Sequence, residues 1–191
     1  MVKIGVVVEG SSDEGIIREI IKTLSKKIDT PLSLEIKVAR GGKIKNRRIL
    51  RNSAEHLKVQ GCQRVMVLID SHCNLSDIRN SLEEYIENIG GKLFVVKHAI
   101  ESWLLADVGA ISIVLKRRIE KEIPNLDELH KPEEFLNGIF KEYTNRDYDK
   151  IRDGVKIAEK VDVNILERYT NFRAFINSLS INNPDRHNLQ I

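Results

Sequence analysis

Val6-Val7-Val8-Glu9-Gly10-Ser11-Ser12-Asp13-Glu14 carries an apolar run straight into an acid, and a helix start follows within three residues. Ile4 to Val8 is apolar apart from Gly5, the pattern of a strand covered on both faces of a parallel sheet. Glu9 stands at its carboxyl end, the edge at which open α/β sheets bind ligands. A glycine turn between strand and helix usually cradles phosphate, but a carboxylate beside it repels phosphate unless a divalent cation lies between them. The stretch therefore favours a metal site over a plain nucleotide loop. Ser11 with Glu14 also fits a capping box, and Asp13 and Glu14 complement the helix dipole without any function. Glu9 precedes the cap and is not explained that way.

Moving outward, Ile16, Ile17, Ile20, Ile21 and Leu24 recur at helical spacing and predict a helix from about Ser12 to Lys27. Leu34 to Ala39 alternates apolar and charged side chains, as a strand nearer the sheet edge does. Ile49, Leu50, Ala54 and Leu57 mark a helix reaching about Gln60. Arg64 to Ile69 is a second unbroken apolar run, and it too ends in an acid, Asp70, followed by Ser71 and His72. Two parallel strands that each release a carboxylate at one edge bring Glu9 and Asp70 together across a long sequence separation. A helix through Ile78, Leu82 and Ile86, a fourth strand from Leu93 to Val96 and a third acid, Glu101, complete the alternating half.

From Gly109 the strand signals stop. Helical patterns remain at Val114 to Glu122, from Pro132 through Tyr143, at Ile151 to Val161 and at Asn171 to Leu179. The reading is an α/β protein with a mainly parallel sheet of about four strands flanked by helices. Residues 1–108 form this core, 109–181 form a helical C-terminal region packed on it, and 182–191 form a polar, flexible tail.

The composition, 41% hydrophobic and 31% charged over 191 residues, describes one globular unit with a charged surface rather than a disordered chain. No apolar run approaches the ~20 residues needed to cross a bilayer, so a cytoplasmic protein with no membrane contact is expected. Cys62 and Cys73 form no Cys-x-x-Cys pair and are read as reduced thiols. Cys73 beside His72 hints at zinc, but one cysteine and one histidine do not make a site, and His98 is read as a packed residue ending the fourth strand. The positive charge is local: Lys37, Arg40, Lys43, Lys45, Arg47, Arg48 and Arg51 occur with no acid among them. Such a run on an otherwise acidic chain is an electrostatic footprint for a polyanion, DNA or RNA, with Arg40, Lys43, Lys45, Arg47, Arg48 and Arg51 as its contacts.

Glu9-Gly10-x-x-Asp13 on the first strand with Asp70-x-His72 on the third resembles the Toprim domain of primases, topoisomerases, recombination-repair proteins and nucleases of the OLD (overcoming lysogenization defect) family. The segment Ile100-Glu101-Ser102-Trp103-Leu104-Leu105-Ala106-Asp107 looks like a signature of small Toprim-like proteins, some encoded beside ABC-type ATPases in phage-defence-like loci. The resemblance extends weakly into Tyr148-Asp149-Lys150 and Lys156-Ile157-Ala158. It implies a Rossmann-like core, Mg²⁺ or Mn²⁺ held by Glu9, Asp13, Asp70 and Glu101, and Glu9 as ligand or general acid/base. The family has Asp-x-Asp where this chain has Asp70-x-His72, so His72 either shifts the metal preference, serves as a catalytic base or marks lost catalysis.

Three functions follow from these residues. One is metal-dependent phosphodiester chemistry on DNA or RNA, acting with a separate ATPase in phage defence or DNA repair; no Gly-x-x-x-x-Gly-Lys-Ser/Thr motif occurs, so that ATPase is another chain. The second is a noncatalytic nucleic-acid-binding or regulatory subunit on the same scaffold. The third is a receiver-like phosphoacceptor using Asp70 with Lys97, which is disfavoured because a receiver needs five βα units. The sequence leaves the oligomeric state open.

Overall fold

A computed structural model describes residues 2–27, 32–39 and 43–179. Four strands, β1 (Val2–Val8), β2 (Leu32–Val38), β3 (Arg64–Asp70) and β4 (Lys92–Val96), form one all-parallel sheet in the order β2-β1-β3-β4. Helix α1 (Ser11–Lys27) connects β1 to β2, α2 (Arg47–Val59) connects β2 to β3, and α3 (Leu75–Asn88) connects β3 to β4. Between Lys3 at the start of β1 and Arg64 and Asp70 at the ends of β3, the inner strands are apolar because both their faces are buried. Ile4, Val6, Val8, Met66 and Leu68 belong to the cluster under α1, whereas Val7, Val65, Val67 and Ile69 belong to the one under α2 and α3. Gly5 interrupts the first run because a Cβ there would lie 3.0 Å from the Leu57 side chain and 3.2 Å from that of Cys62. It lets α2 approach the sheet closely.

The helical half continues with α4 (Glu101–Leu105), α5 (Val108–Leu115), α6 (Pro132–Thr144), α7 (Val155–Ala158), α8 (Val163–Leu166) and α9 (Thr170–Leu179). It shares one apolar cluster with α1 and the sheet, through Trp103, Phe140, Ile157, Phe172 and Phe175. Trp103, Leu104 and Leu105 are core residues, as their composition suggests. Asn171 fastens this half to the sheet: its Oδ1 accepts from Trp103 Nε1 at 3.0 Å and from the Lys97 N–H at 3.3 Å, and its Nδ2 donates to the Val95 carbonyl at 3.3 Å.

The helical half departs from the expected pattern in two places. The helix expected over Val114–Glu122 instead ends at Leu115, because Lys116 adopts a left-handed φ of 53° and closes α5, whose start is capped by Asp107. The single helix expected over Ile151–Val161 is a π-helical turn, Lys150–Gly154, running into the short α7. Ser11 and Glu14 do not form the capping box either. The Asp13 carboxylate accepts from the Gly10 N–H at 3.0 Å, while Glu14 pairs with Arg18 at 2.9 Å. Arg40 and the tail 182–191 lie outside the described residues. Among the described residues no helix is long and apolar enough to cross a membrane.

Candidate functional site

The strand order places the topological switch point between β1 and β3: the chain leaves β1 toward β2 on one side and leaves β3 toward β4 on the other. Since Val7 is in register with Val67, Glu9 and Asp70 follow at nearly the same level on adjacent strands. Asp13 enters from the first turn of α1, and Glu101 is the first residue of α4, the helix that follows the carboxyl end of β4. The four acids named from the sequence therefore lie at the same edge of the sheet. Asp70 is electrostatically coupled to Asp13, Glu101 and Glu9. Burial first, and then these neighbouring carboxylates, push its carboxyl well above the usual range, against the pull of Lys150.

Lys150 joins these acids, and no motif in the sequence assigns it there. Its ammonium lies 3.2 Å from Asp13 Oδ1 and 3.2 Å from Glu101 Oε1. Burial alone would lower its pKa, but Glu101, Asp13 and Asp70 outweigh that and hold it above its ordinary value. It arrives on the π-helical turn, and the turn and α7 behind it pack so tightly on α1 that a Cβ at Gly15 would meet Val155 Cγ2 at 2.5 Å, and one at Gly154 would meet Ile16 Cδ1 at 3.0 Å. Small residues at both positions bring the lysine to the acids. The turn itself is locked by buried Asp153, which accepts from Arg146, Arg152 and the Asp149 N–H. Burial would raise the Asp153 carboxyl, but these donors hold it at about 2.

The cluster is rich in oxygen ligands and poor in donors. Glu101 is 0% exposed, and neither of its carboxylate oxygens, nor Asp13 Oδ1, receives a hydrogen bond beyond the ion pairs with Lys150. Burial drives the Glu101 carboxyl upward and Lys150 only partly offsets this. The Tyr148 hydroxyl is also buried without a partner, and burial followed by Glu101 raises its pKa. Carboxylate oxygens are the donors that a hard divalent cation takes, and here the Lys150 ammonium stands in the cation's place beside Asp13 Oδ1 and Glu101 Oε1, leaving Glu101 Oε2 without a partner.

A cleft of about 460 Å³ opens beside this cluster, lined in part by His72, His130, Glu133, Asn137 and Tyr148. His72 is exposed there with a left-handed φ of 42°. Next to it, Cys73, His98 and His130 form a group whose ligand atoms all lie within 4.8 Å of one another and that could hold a metal ion. Cys73 and His98 follow adjacent strands β3 and β4, a juxtaposition that the sequence contained, but His130 precedes α6 and nothing in its spacing linked it to them.

The basic run is exposed at Lys43, Lys45, Arg47, Arg48 and Arg51. Lys43 and Lys45 sit on a 3₁₀ turn after the carboxyl end of β2, on the side of the sheet that carries the acids. Arg47 is partly committed elsewhere, stacking 5.0 Å from the Tyr85 ring centroid and donating to the Ser81 carbonyl at 3.3 Å. Lys97 pairs with Asp127 at 3.1 Å, so the phosphate partner that the receiver-like reading requires is engaged away from Asp70.

A family model described as a domain of unknown function (DUF4276) matches residues 8–180, a span holding the sheet edge, the acids, Lys150 and the Cys/His group. No curated protein and no solved structure matches the chain.

Proposed function

The chain belongs to the DUF4276 family, and we propose that it carries out divalent-metal-dependent phosphodiester chemistry on DNA or RNA, as a nuclease-like protein of Toprim type. The observation that carries this reading is the placement of Glu9, Asp13, Asp70 and Glu101 at one sheet edge, close enough that, beyond burial, the charges of the other three raise the Asp70 carboxyl. Mg²⁺ or Mn²⁺ suits such an all-oxygen set. When bound, the ion supplies an activated water and charge stabilisation of the leaving oxygen. The chain's own residues do the rest. Asp70, Glu101 and Asp13 would hold the ion, with Asp13 oriented by the Gly10 N–H. Glu9, only half-buried, accepts a proton from water. Lys150 compensates the acids before substrate arrives and then faces phosphate, and the basic run holds the backbone. His72, on the rim of the cleft, offers a second base. A separate ABC-type ATPase, in phage defence or DNA repair, fits this reading.

A second reading is a noncatalytic nucleic-acid-binding or regulatory subunit. It is favoured by Lys150, an internal cation already paired to two of the acids.

The test is cleavage of plasmid DNA and of single-stranded RNA with Mn²⁺ and with chelator. Metal-dependent cleavage is expected, and Glu9→Gln should slow it by about 100-fold. Cleavage that continues unchanged in chelator, or in Glu9→Gln, sinks the proposal; Mn²⁺ binding without cleavage leaves the noncatalytic reading. Nucleic-acid affinity should fall with salt at a slope of about 0.9 per phosphate neutralised. Changing Lys43, Lys45, Arg48 and Arg51 together to Ala should flatten that slope. An unaltered slope would reduce the run to a solvated helix face.

A further inference from the structure

We propose that Cys73, His98 and His130 form a second metal site, for Zn²⁺, separate from the acids and completed by water or a ligand from the cleft. Three independent observations point to it. The first is spacing. With Zn–S near 2.3 Å and Zn–N near 2.0–2.1 Å, tetrahedral geometry puts sulfur and nitrogen ~3.6 Å apart. Cys73 Sγ lies 3.7 Å from His98 Nδ1 and 3.3 Å from His130 Nδ1. The two rings stand edge to face at 89°, with centroids 4.9 Å apart, so neither blocks the other's ligand atom.

The second is the tautomer. His98 Nε2 lies 2.9 Å from the Asp127 carbonyl oxygen, which can only accept, so Nε2 carries the proton and Nδ1 presents its lone pair to the cluster. A ring N–H donated to a carbonyl is how metal-bound histidines are oriented. The third is backbone strain. His72, Cys73 and His98 have φ of 42°, 71° and 64°, a region costly for residues with a Cβ. The strained loops are cross-linked: the His72 N–H donates to the His98 carbonyl at 2.9 Å, the His98 N–H to Ser71 Oγ at 2.7 Å, and the Ser71 N–H to the Val96 carbonyl at 3.0 Å. The arrangement holds the ligand atoms together before any ion binds.

A thiolate with two imidazoles suits Zn²⁺ far better than Mg²⁺, whereas the acid cluster has the opposite preference. The chain thus offers a hard and a soft site on one sheet edge. Only Ser71 and His72 separate Cys73 from Asp70, and only Ala99 and Ile100 separate His98 from Glu101. The zinc also fastens the connection that carries Asp127 and His130 to the sheet, shaping the wall of the cleft that His130 lines.

The experiment uses the full chain, stripped with chelator and titrated with Zn²⁺ against a chromophoric competitor, and then loaded with Co²⁺. One Zn²⁺ per chain and a thiolate-to-cobalt charge-transfer band are expected. Cys73 and His130 are exposed, so Cys73→Ser and His130→Ala should fold. Cys73→Ser should remove the band, and each should weaken Zn²⁺ by at least about 100-fold. Asp70→Asn should leave Zn²⁺ affinity and the band unchanged, which separates this site from the acid cluster. No stoichiometric Zn²⁺ in the parent, or a cobalt spectrum indifferent to Cys73→Ser, overturns the proposal and leaves a hydrogen-bonded thiol between two imidazoles. Zinc binding lost in Asp70→Asn as strongly as in Cys73→Ser overturns it too, by making the acids the zinc ligands.

Discussion

Lys150→Ala should cost about 3 kcal/mol of stability, read by chemical denaturation near neutral pH without metal. The reason is desolvated charge: Glu101 is 0% exposed, and the ammonium at 3.2 Å is the one cation that reaches it among the described residues. Removing one partner of a buried ion pair strands the other. The pH dependence follows from the direction of the Glu101 shift. Burial raises that carboxyl, and losing Lys150 raises it further. A group titrating higher in the folded than in the unfolded state favours folding below its unfolded pKa and loses that advantage as pH rises through the folded one. The defect should therefore grow with pH and shrink in acid. If the acids hold a divalent ion, Mn²⁺ should stabilise Lys150→Ala more than the parent, since it supplies the missing positive charge. A loss below ~1 kcal/mol at pH 8 would mean that the lysine is not the counter-ion of this cluster.

Asp70→Asn should have two large and opposite effects, a loss of Mn²⁺ affinity of at least about 100-fold and a gain in the stability of the metal-free protein. Asp70 sits among Asp13, Glu101 and Glu9, and its raised carboxyl means that the folded state disfavours its charge. The amide keeps the shape and removes the repulsion. Its expected gain, on the order of 1 kcal/mol or about 3 °C in Tm, belongs above the folded-state pKa and should vanish toward pH 3, where the native carboxyl is neutral as well. Calorimetric titration and a thermal melt on the same samples check both halves. A variant less stable than the parent at pH 8 would make Asp70 a structural residue, and unchanged Mn²⁺ affinity would remove it from the ion's ligands.

What the sequence disclosed here follows from how locally each feature is encoded. A strand buried on both faces must be a continuous apolar run, so β1 and β3 were visible, and the acids ending them were placed by topology alone. The amphipathic helices α1, α2 and α3 have simple one-sided patterns. The helical half is different, because its course depends on single residues. Lys116 turns left-handed and ends α5 early, and Gly15 and Gly154 allow a π-helical turn where a longer helix was expected. Lys150 carries no signal of its own in the sequence beyond a weak resemblance, since its place depends on that turn meeting α1. The Cys73, His98 and His130 group was legible in two of its members, which follow neighbouring strands, and hidden in the third, which a long irregular connection delivers.

The division of labour at the sheet edge also has an order in time. All four carboxylates lie in the first 101 residues of the chain, and the lysine that balances two of them is the 150th. During synthesis the strands and their acids leave the ribosome first, and domains generally fold as units while the chain is still emerging. A nascent chain that has completed β4 carries like charges gathered at one edge with no internal cation to offset them. Closure of the sheet edge thus waits for α6 and the turn behind it. The Arg146, Asp153 and Arg152 lock that forms that turn is the latch that ends the wait.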